Sequence, residues 1–223
     1  YRRGEVLETK SHRLDARCAS TTTTLATLPP RQVTEQRPAP ATPTAPTAEQ
    51  LKTFTSIKED VLAKQVCEQK GRSFVDCRDP RSYLKTNEPH LDVVVTYVTN
   101  QGGCYTGVAS DQNYTLIALA RSQWAWLFDY DANVVTWHRV LLALIAGSDD
   151  RAAFVDAFGK TKDKAVLAAV AAGGADEEDA AALVSFFKAS GPPLQNYYKR
   201  QLGQEFTWLG SDRHYAWIKT MVQ

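Results

Sequence analysis

A glycine turn, the start of a helix and a strand that ends in acid follow one another in GCYTGVASDQNYTLIALARSQWAWLFDYD, residues 103–131. Small residues such as Gly107 let a ligand approach the backbone, and the N–H groups of a helix start offer hydrogen-bond donors. An acid about 20 positions further on can accept hydrogen bonds from ribose hydroxyls, and Asp129 stands 22 positions after Gly107. The pattern predicts a site for a nucleotide-type cofactor. However, GVASDQN lacks the full G-x-G-x-x-G pattern, and a strand–helix–strand unit often has glycine and aspartate at these places without any ligand.

The elements around this segment are predicted to alternate between strand and helix. CYTGV is predicted to be a strand, and a helix is expected from about residue 111 to 121 with Ser110 or Asp111 as its N-cap. WAWLFDYD is nearly all apolar until its aspartates, which is typical of a strand buried on both faces of a parallel sheet. NVVTWHRVLLALIAGS is apolar almost all round, so this helix is expected to pack in the interior. The alternation predicts an α/β fold.

Upstream of this segment the sequence predicts a helix, a loop and one ambiguous element. Thr47 and Gln50 have the spacing of a capping box, and apolar residues recur at roughly helical spacing as far as Val66. A helix is therefore expected from Thr47 to a stop at Gly71. After the loop, LDVVVTYVTN (91–100) is short and β-branched, which favours a strand and leaves a short helix as the alternative.

The second half of the chain is predicted to be helical. Three short helices, each closed by glycine, are expected in DDRAAFVDAFG, KDKAVLAAVAAGG and DEEDAAALVSFFKASG, with Asp149 and Asp176 at helix starts. Pro192 and Pro193 are expected to break the chain before helix resumes. Because two or three strands do not make a stable doubly wound sheet, the remaining strands are expected from a missing C-terminal part.

Residues 1–48 differ in composition from the rest. TTTTLATLPPRQVTEQRPAPATPTAPTAEQ has few apolar side chains to bury, which predicts a disordered Thr/Pro-rich linker before a folded domain at 49–223. The chain starts with Tyr1 and its last helix has no stop signal, so we expect a fragment that is incomplete at both ends. A cytoplasmic location is favoured, and export is the alternative because a signal peptide could precede residue 1.

Composition narrows the classes of partner. The formal net charge is +1, so no strong field would collect nucleic acid or anionic membrane. No run approaches the roughly 18 apolar residues that a membrane span requires. We therefore expect neither a nucleic-acid partner nor a membrane span.

The cysteines and histidines show no metal-site spacing, so no metal is expected. Cys67 and Cys77 could form a disulfide or remain two free thiols, and Cys104 is interpreted as a small buried apolar residue. His138 is interpreted as an interior, hydrogen-bonded histidine. His214, in SDRH, could contact a phosphate or carboxylate, although capping by Ser211 is the simpler interpretation.

The segment at 103–131 also resembles a family of uncharacterised bacterial proteins. Those sequences read roughly G-x-Y-x-G-V-G-P-[DE]-Q-N-[FY]-[ST]-Y-I-A and then A-F-I-V-D-x-R-R, against GVASDQNYT and the strand ending at Asp129 here. Weaker similarity covers RSYL (81–84) and GSDRHYAWIKTMV (210–222). The family resembles class I S-adenosylmethionine-dependent methyltransferases. The resemblance therefore implies a Rossmann-like parallel sheet with flanking helices, truncated here on its C-terminal side.

The resemblance further implies that the protein binds S-adenosylmethionine and transfers its methyl group to an unknown acceptor. Gly107 would make room for the cofactor and Asp129 would bind its ribose. The other cofactor-binding residues would lie around the helix start, namely Val108, Asp111, Gln112 and Asn113. No residue is assigned a catalytic role.

Departures from the family pattern keep two alternatives open. Ala109 stands where the family has its second glycine, Ser110 replaces its proline, and the basic pair is absent from Asp131 onward. The first alternative is a non-catalytic binding or scaffold module on the same fold, and the second is an enzyme that binds another nucleotide-type ligand. At single positions, Asp111 is more simply interpreted as a helix cap, whereas for Asp129 the end of a strand and a ligand role are equally good interpretations.

Overall fold

A computed structural model of the chain describes five stretches, which are residues 42–58, 66–69, 72–75, 82–88 and 90–223. All of them belong to one unit of the chain, Arg37–Gln223. Most of the predicted linker therefore lies outside the described residues, as does Cys77.

The strand–helix–strand unit predicted at the centre of the chain is present. Strand β3, Cys104–Val108, is joined through helix α3, Gln112–Ala120, to strand β4, Trp124–Phe128. The two strands are parallel, and Cys104 pairs with Trp124 at one end of the register and Val108 with Phe128 at the other. The carboxyl ends of both strands and the start of α3 therefore lie at one edge of the sheet.

The predicted Rossmann-like α/β fold is wrong. The described part of the chain contains eight α-helices, and its parallel sheet has the two strands β3 and β4 alone. The expected strand at 91–100 is a 3-10 turn, Leu91–Val94, followed by the short helix α2, Val95–Val98. Tertiary bonds stabilise this conformation, since Asn100 and Gly102 donate backbone hydrogen bonds to the last carbonyls of α3.

The N-terminal helix is shorter than predicted. Helix α1, Ala48–Thr55, has the expected capping box between Thr47 and Gln50, but it ends well before Gly71. The chain then forms an antiparallel pair, β1 (Val66–Gln69) with β2 (Arg72–Val75). Phe54 of α1 stacks on Trp126 of β4 with ring centroids 4.7 Å apart, so α1 packs against one face of the parallel sheet.

Helix α4, Ala132–Gly147, packs in the interior, as predicted. Helices α5 (Arg151–Ala157), α6 (Lys164–Ala171), α7 (Glu177–Leu202) and α8 (Asp212–Val222) surround it. The core is rich in aromatic rings, and its largest completely buried side chains are Trp137, Phe154, Phe158, Phe187, Tyr198 and Trp208. Burial of each such side chain stabilises the fold by about 1.5–3 kcal/mol, because its apolar surface leaves water.

Two predictions about where helices end and begin need correction, namely the break at Pro192 and Pro193 and the helix start at Asp149. Helix α7 runs through Pro192 and Pro193 without a break, although proline removes a backbone donor and disfavours a helix interior. Both prolines are exposed, whereas Phe187 before them and Tyr198 after them are buried in the core, so packing holds the two halves in line. Asp176 caps α7 as predicted, and it is Asp150 that caps α5.

No helix within the described ranges is long and apolar enough to cross a membrane.

Candidate functional site at the carboxyl edge of the parallel sheet

The turn between β3 and α3 is held by the carboxylate at the end of β4. Ala109 in this turn has φ 64°, a left-handed conformation that glycine adopts more readily. Its N–H donates a hydrogen bond of 2.9 Å to Asp129 Oδ2, and the N–H of Asp131 donates one of 2.8 Å to Asp129 Oδ1. Asp129 therefore does more than end a strand, because its side chain fixes the turn at the carboxyl edge.

Asn113 fastens the same turn from the helix side. Its Nδ2 donates to the carbonyl oxygens of Val108, Ala109 and Ser110 at 2.9, 3.1 and 2.9 Å. Its Oδ1 accepts a bond of 2.7 Å from the hydroxyl of Tyr105, and burial raises the pKa of that hydroxyl to about 12. Asn113 thus organises the turn and is 2% exposed.

Gly107 is required by this packing. A Cβ added at this position would lie 2.2 Å from Asn113 Oδ1 and 2.6 Å from Tyr105 Cε1. The space beside Gly107 is thus filled by the protein's own side chains, which is a different reason for glycine from the close approach of a ligand.

Asp111 is completely buried at the start of α3. Its carboxylate accepts hydrogen bonds from the Tyr197 hydroxyl at 2.8 and 3.0 Å, from Gln201 Nε2 at 2.8 Å and from the Thr86 N–H at 3.0 Å. Burial raises the pKa of Asp111, and these hydrogen bonds oppose that shift. It makes no side-chain cap bond. The carboxylate instead ties α3 to α7 and to the segment at 82–88.

Gln112 lines a cleft of about 320 Å³, and the lining also includes Tyr197 and Gln201, two of the residues that bind Asp111. Its Oε1 accepts a hydrogen bond of 3.0 Å from the Ser110 hydroxyl. The cleft is polar and carries both signs of charge, with Lys85, Glu88, Arg200, Gln204 and Thr207 among its lining residues. A small polar molecule would find donors and acceptors there.

His138 links α4 to the turn, as an interior histidine that is 7% exposed. Its Nε2 lies 2.7 Å from the carbonyl oxygen of Ala109 and its Nδ1 lies 2.9 Å from the Tyr114 hydroxyl. Nε2–H as donor and Nδ1 as acceptor satisfy both contacts in the neutral ring. Burial lowers the pKa of His138, which favours this neutral form. The prediction for His138 is confirmed.

Exposed apolar side chains surround the carboxyl edge. Val108 and Phe128, which are paired across the sheet, are 53% and 51% exposed, and Tyr130 is 66% exposed. The expectation that β4 is buried on both faces is therefore wrong. Aromatic rings beside a fixed carboxylate form a surface on which a flat ligand with polar groups could bind.

The structure divides the predicted cofactor residues into two groups. Val108, Asn113 and Asp129 belong to the turn at the carboxyl edge, with Gly107 beneath it. Asp111 and Gln112 face α7 and the cleft.

Sequence reasoning did not identify two of the residues that this arrangement uses. Tyr197 and Gln201 lie one helical turn apart on α7, far along the chain from α3. Their spacing of four marks one helix face but carries no sign that a carboxylate lies opposite.

Within the described ranges, no group of three or more His, Cys, Asp or Glu side chains could hold a metal ion. Cys104 is half-buried and disulfide-bonded, so its interpretation as a simple buried apolar residue is wrong.

The described residues form a predominantly helical domain built around one parallel strand–helix–strand unit. Residues 83–223 match the family described as Domain of unknown function (DUF7790), and the chain belongs to that family. No curated protein matches the chain.

Proposed function

We propose that the carboxyl edge of the β3–β4 sheet binds an adenosyl ligand of the S-adenosylmethionine type, and that the protein is methyltransferase-like with an acceptor still to be identified. The observation that carries the proposal is the position of Asp129. Its carboxylate is fixed by the N–H groups of Ala109 and Asp131 and is flanked in sequence by the exposed rings of Phe128 and Tyr130.

The residues at this edge fit an adenosine. A carboxylate has about four acceptor positions, and the two hydrogen bonds within the chain occupy one on each oxygen of Asp129. The remaining positions suit the two hydroxyls of a ribose. An exposed aromatic ring can stack on adenine, and Phe128 or Tyr130 would supply that ring.

The cleft beside Gln112 is the proposed site of the acceptor. The supporting observation is that Gln112 belongs both to the cleft lining and to the turn, through its hydrogen bond from Ser110. The sulfonium of the cofactor makes its methyl group reactive, so the main task of the chain is to hold two reactants in line. The acceptor atom displaces S-adenosylhomocysteine as the methyl–sulfur bond breaks, and any proton that the acceptor loses passes to water.

Calorimetric titration of S-adenosylhomocysteine into the full chain tests the proposal. Asp129→Asn keeps the size of the side chain but loses one acceptor oxygen and the charge, and it should weaken binding about tenfold or more. Asp156→Asn removes an exposed carboxylate on α5 and is the matched control. Micromolar binding to wild type and to Asp156→Asn, weakened in Asp129→Asn, supports the site.

A second candidate function is a non-catalytic binding module. The observation that favours it is the filled space at Gly107, where Asn113 and Tyr105 occupy the approach that a cofactor would use. Absence of heat with folded protein would favour this module over the methyltransferase. Binding of adenosine monophosphate in preference to S-adenosylhomocysteine would instead favour an enzyme for another nucleotide-type ligand.

A further inference from the structure

A nearly buried guanidinium lies at the far end of helix α3 from the proposed adenosyl site. Arg121, the C-cap of α3, has φ 55° and is 7% exposed. Its guanidinium carbon lies 4.7 Å from the ring centroid of Trp217 in α8. The ring face and the negative end of the helix dipole both stabilise a cation there. Neither of them accepts the hydrogen bonds that a guanidinium can donate.

Arg121 has no acceptor among the described residues. A guanidinium carries five N–H donors and does not lose its proton in proteins. Within the described ranges, no oxygen accepts a hydrogen bond from the Arg121 guanidinium and no carboxylate forms an ion pair with it. Its nitrogens are not among the completely enclosed polar atoms, so the donors reach the molecular surface.

A second cation adjoins the first. Arg213 is exposed and stands four positions before Trp217 on α8, which places both residues on one helix face. Burial lowers the pKa of the Arg121 guanidinium, and the charge of Arg213 lowers it further. The neighbouring carboxylate, Asp212, is paired with Arg151. Arg121 lies over the Trp217 ring and Arg213 stands one helical turn before Trp217, so both cations adjoin the same side chain, while the neighbouring carboxylate is paired elsewhere.

The same pair of charges acts on His214. Burial lowers the pKa of this imidazole, and the charges of Arg121 and Arg213 lower it further. His214 is thus kept neutral beside the two arginines, and its Nδ1 lies 3.1 Å from the Thr207 carbonyl oxygen. The backbone N–H of His214 donates to Ser211 Oγ, so the capping predicted for Ser211 is confirmed and does not involve either arginine.

We propose that Arg121 and Arg213 together form a binding site for a phosphate group. Each guanidinium can donate two parallel hydrogen bonds to a pair of phosphate oxygens, a geometry for which arginine is better suited than lysine. The bound group would also relieve the repulsion between the two cations. Helix α3 has nine residues, so this site lies about 13 Å from the carboxyl edge and its occupation does not depend on the adenosyl ligand.

Thermal unfolding of the full chain in sodium phosphate, against sodium chloride at equal ionic strength, tests the site. A ligand that binds the folded state raises the unfolding midpoint as its concentration increases. Wild type should show a saturable rise with phosphate. Arg213→Gln, which changes an exposed residue and should fold normally, should need about tenfold more phosphate for half the effect. Lys188→Gln removes one exposed positive charge from α7 and should behave as wild type.

A second variant and a second anion complete this test. Arg121→Lys keeps the charge over Trp217 but loses the planar fork, so it should weaken the phosphate effect to a similar degree. If Arg121→Lys fails to fold, Arg213→Gln still decides the question. Equal midpoints in phosphate and chloride, or equal loss in Arg213→Gln and Lys188→Gln, would overturn the proposal. An equal effect of sodium acetate would show that the site does not select phosphate and would likewise overturn it.

Discussion

The carboxylate of Asp111 accepts a hydrogen bond of 2.8 Å from the hydroxyl of Tyr197, although the two residues are 86 positions apart. Burial raises the pKa of Tyr197, and the adjacent charge of Asp111 raises it further. The hydroxyl therefore keeps its proton and remains a donor. With the bonds from Gln201 and Thr86, this contact connects the start of α3 to α7 and to the segment at 82–88.

Replacement of Asp111 by asparagine should destabilise the fold at neutral pH. The amide keeps one acceptor oxygen, but its NH₂ group would face donors from Tyr197, Gln201 or Thr86. The loss of hydrogen bonds to a charged acceptor predicts a decrease of about 2 kcal/mol in the free energy of unfolding. Urea unfolding followed by circular dichroism measures it, with Asp156→Asn as the control.

The difference in the free energy of unfolding between wild type and Asp111→Asn should depend on pH. Because the pKa of Asp111 is raised in the folded state, the folded protein binds more protons than the unfolded chain between the unfolded pKa and the folded one. The stability contribution of Asp111 is therefore largest below this window and decreases as pH rises through it. The deficit of Asp111→Asn should accordingly grow as pH falls from 7 toward 4. A deficit that shrinks over that range would contradict the assignment.

Substitution of Gly107 by alanine tests whether packing alone requires glycine there. The new Cβ would overlap Asn113 Oδ1 and crowd the Tyr105 ring, so the turn must shift. We expect the free energy of unfolding to fall by about 1–3 kcal/mol. Gly203→Ala is the matched control, because its Cβ would lie 3.7 Å from the Arg200 carbonyl oxygen at ordinary contact distance. Equal stability of the two variants would show that the space beside Gly107 is not rigidly filled.

Local sequence patterns predicted the individual elements of the central unit. The strand CYTGV, the helix after Asp111, the strand ending at Phe128 and the interior helix α4 all form where turn residues and apolar runs indicated. The capping box at Thr47 and the cap at Ser211 also form. These features depend on residues a few positions apart, and short-range patterns record them well.

The errors arose where distant contacts decide the structure. The segment at 91–100 has β-branched residues, yet it packs as a helical turn on the end of α3, and no strand among the described residues pairs with it. The double proline at 192–193 does not end α7, because buried residues on both sides hold the helix. Inference of a Rossmann-like sheet from one strand–helix–strand unit assumed further strands, and the described residues pack helices around this unit instead.

In the candidate site too, the residues contributed by distant parts of the chain could not be predicted. Asp129 was predicted to bind a ribose because of its distance along the sequence from Gly107. The structure places its carboxylate at the turn between β3 and α3, and its role toward a ligand stays a prediction. Tyr197 and Gln201 could not be predicted, since nothing in LQNYYKRQL indicates a buried carboxylate opposite.

The strained backbone at Ala109 predicts a stabilising substitution. A non-glycine residue in the left-handed region is disfavoured by about 1 kcal/mol because its Cβ crowds the following carbonyl oxygen, and Ala109 has φ 64°. Ala109→Gly removes that crowding and keeps both backbone hydrogen bonds, although glycine also increases the entropy of the unfolded chain. We expect a net gain of about 0.5 kcal/mol in the free energy of unfolding. Ala181→Gly, at an exposed position inside α7, should be destabilising by about 1 kcal/mol and is the control.

His138 should give the protein a stability that is lost in mild acid. Burial lowers the pKa of His138 in the folded state, so between that pKa and the unfolded value near 6.5 the unfolded chain binds more protons. The stability contributed by the neutral ring is therefore complete above about pH 6.5 and is lost as pH falls toward the folded pKa.

Comparison of wild type with His138→Gln at several pH values isolates this effect. Glutamine can still donate to the Ala109 carbonyl but does not titrate, so the advantage of wild type should be largest near pH 7.5 and decrease toward pH 5. His214 also has a lowered pKa, but it is present in both proteins and cancels in the difference. An advantage that stays constant with pH would mean that His138 titrates alike in the folded and unfolded states, and the ring would then have to be solvated, contrary to its bonds to Ala109 and Tyr114.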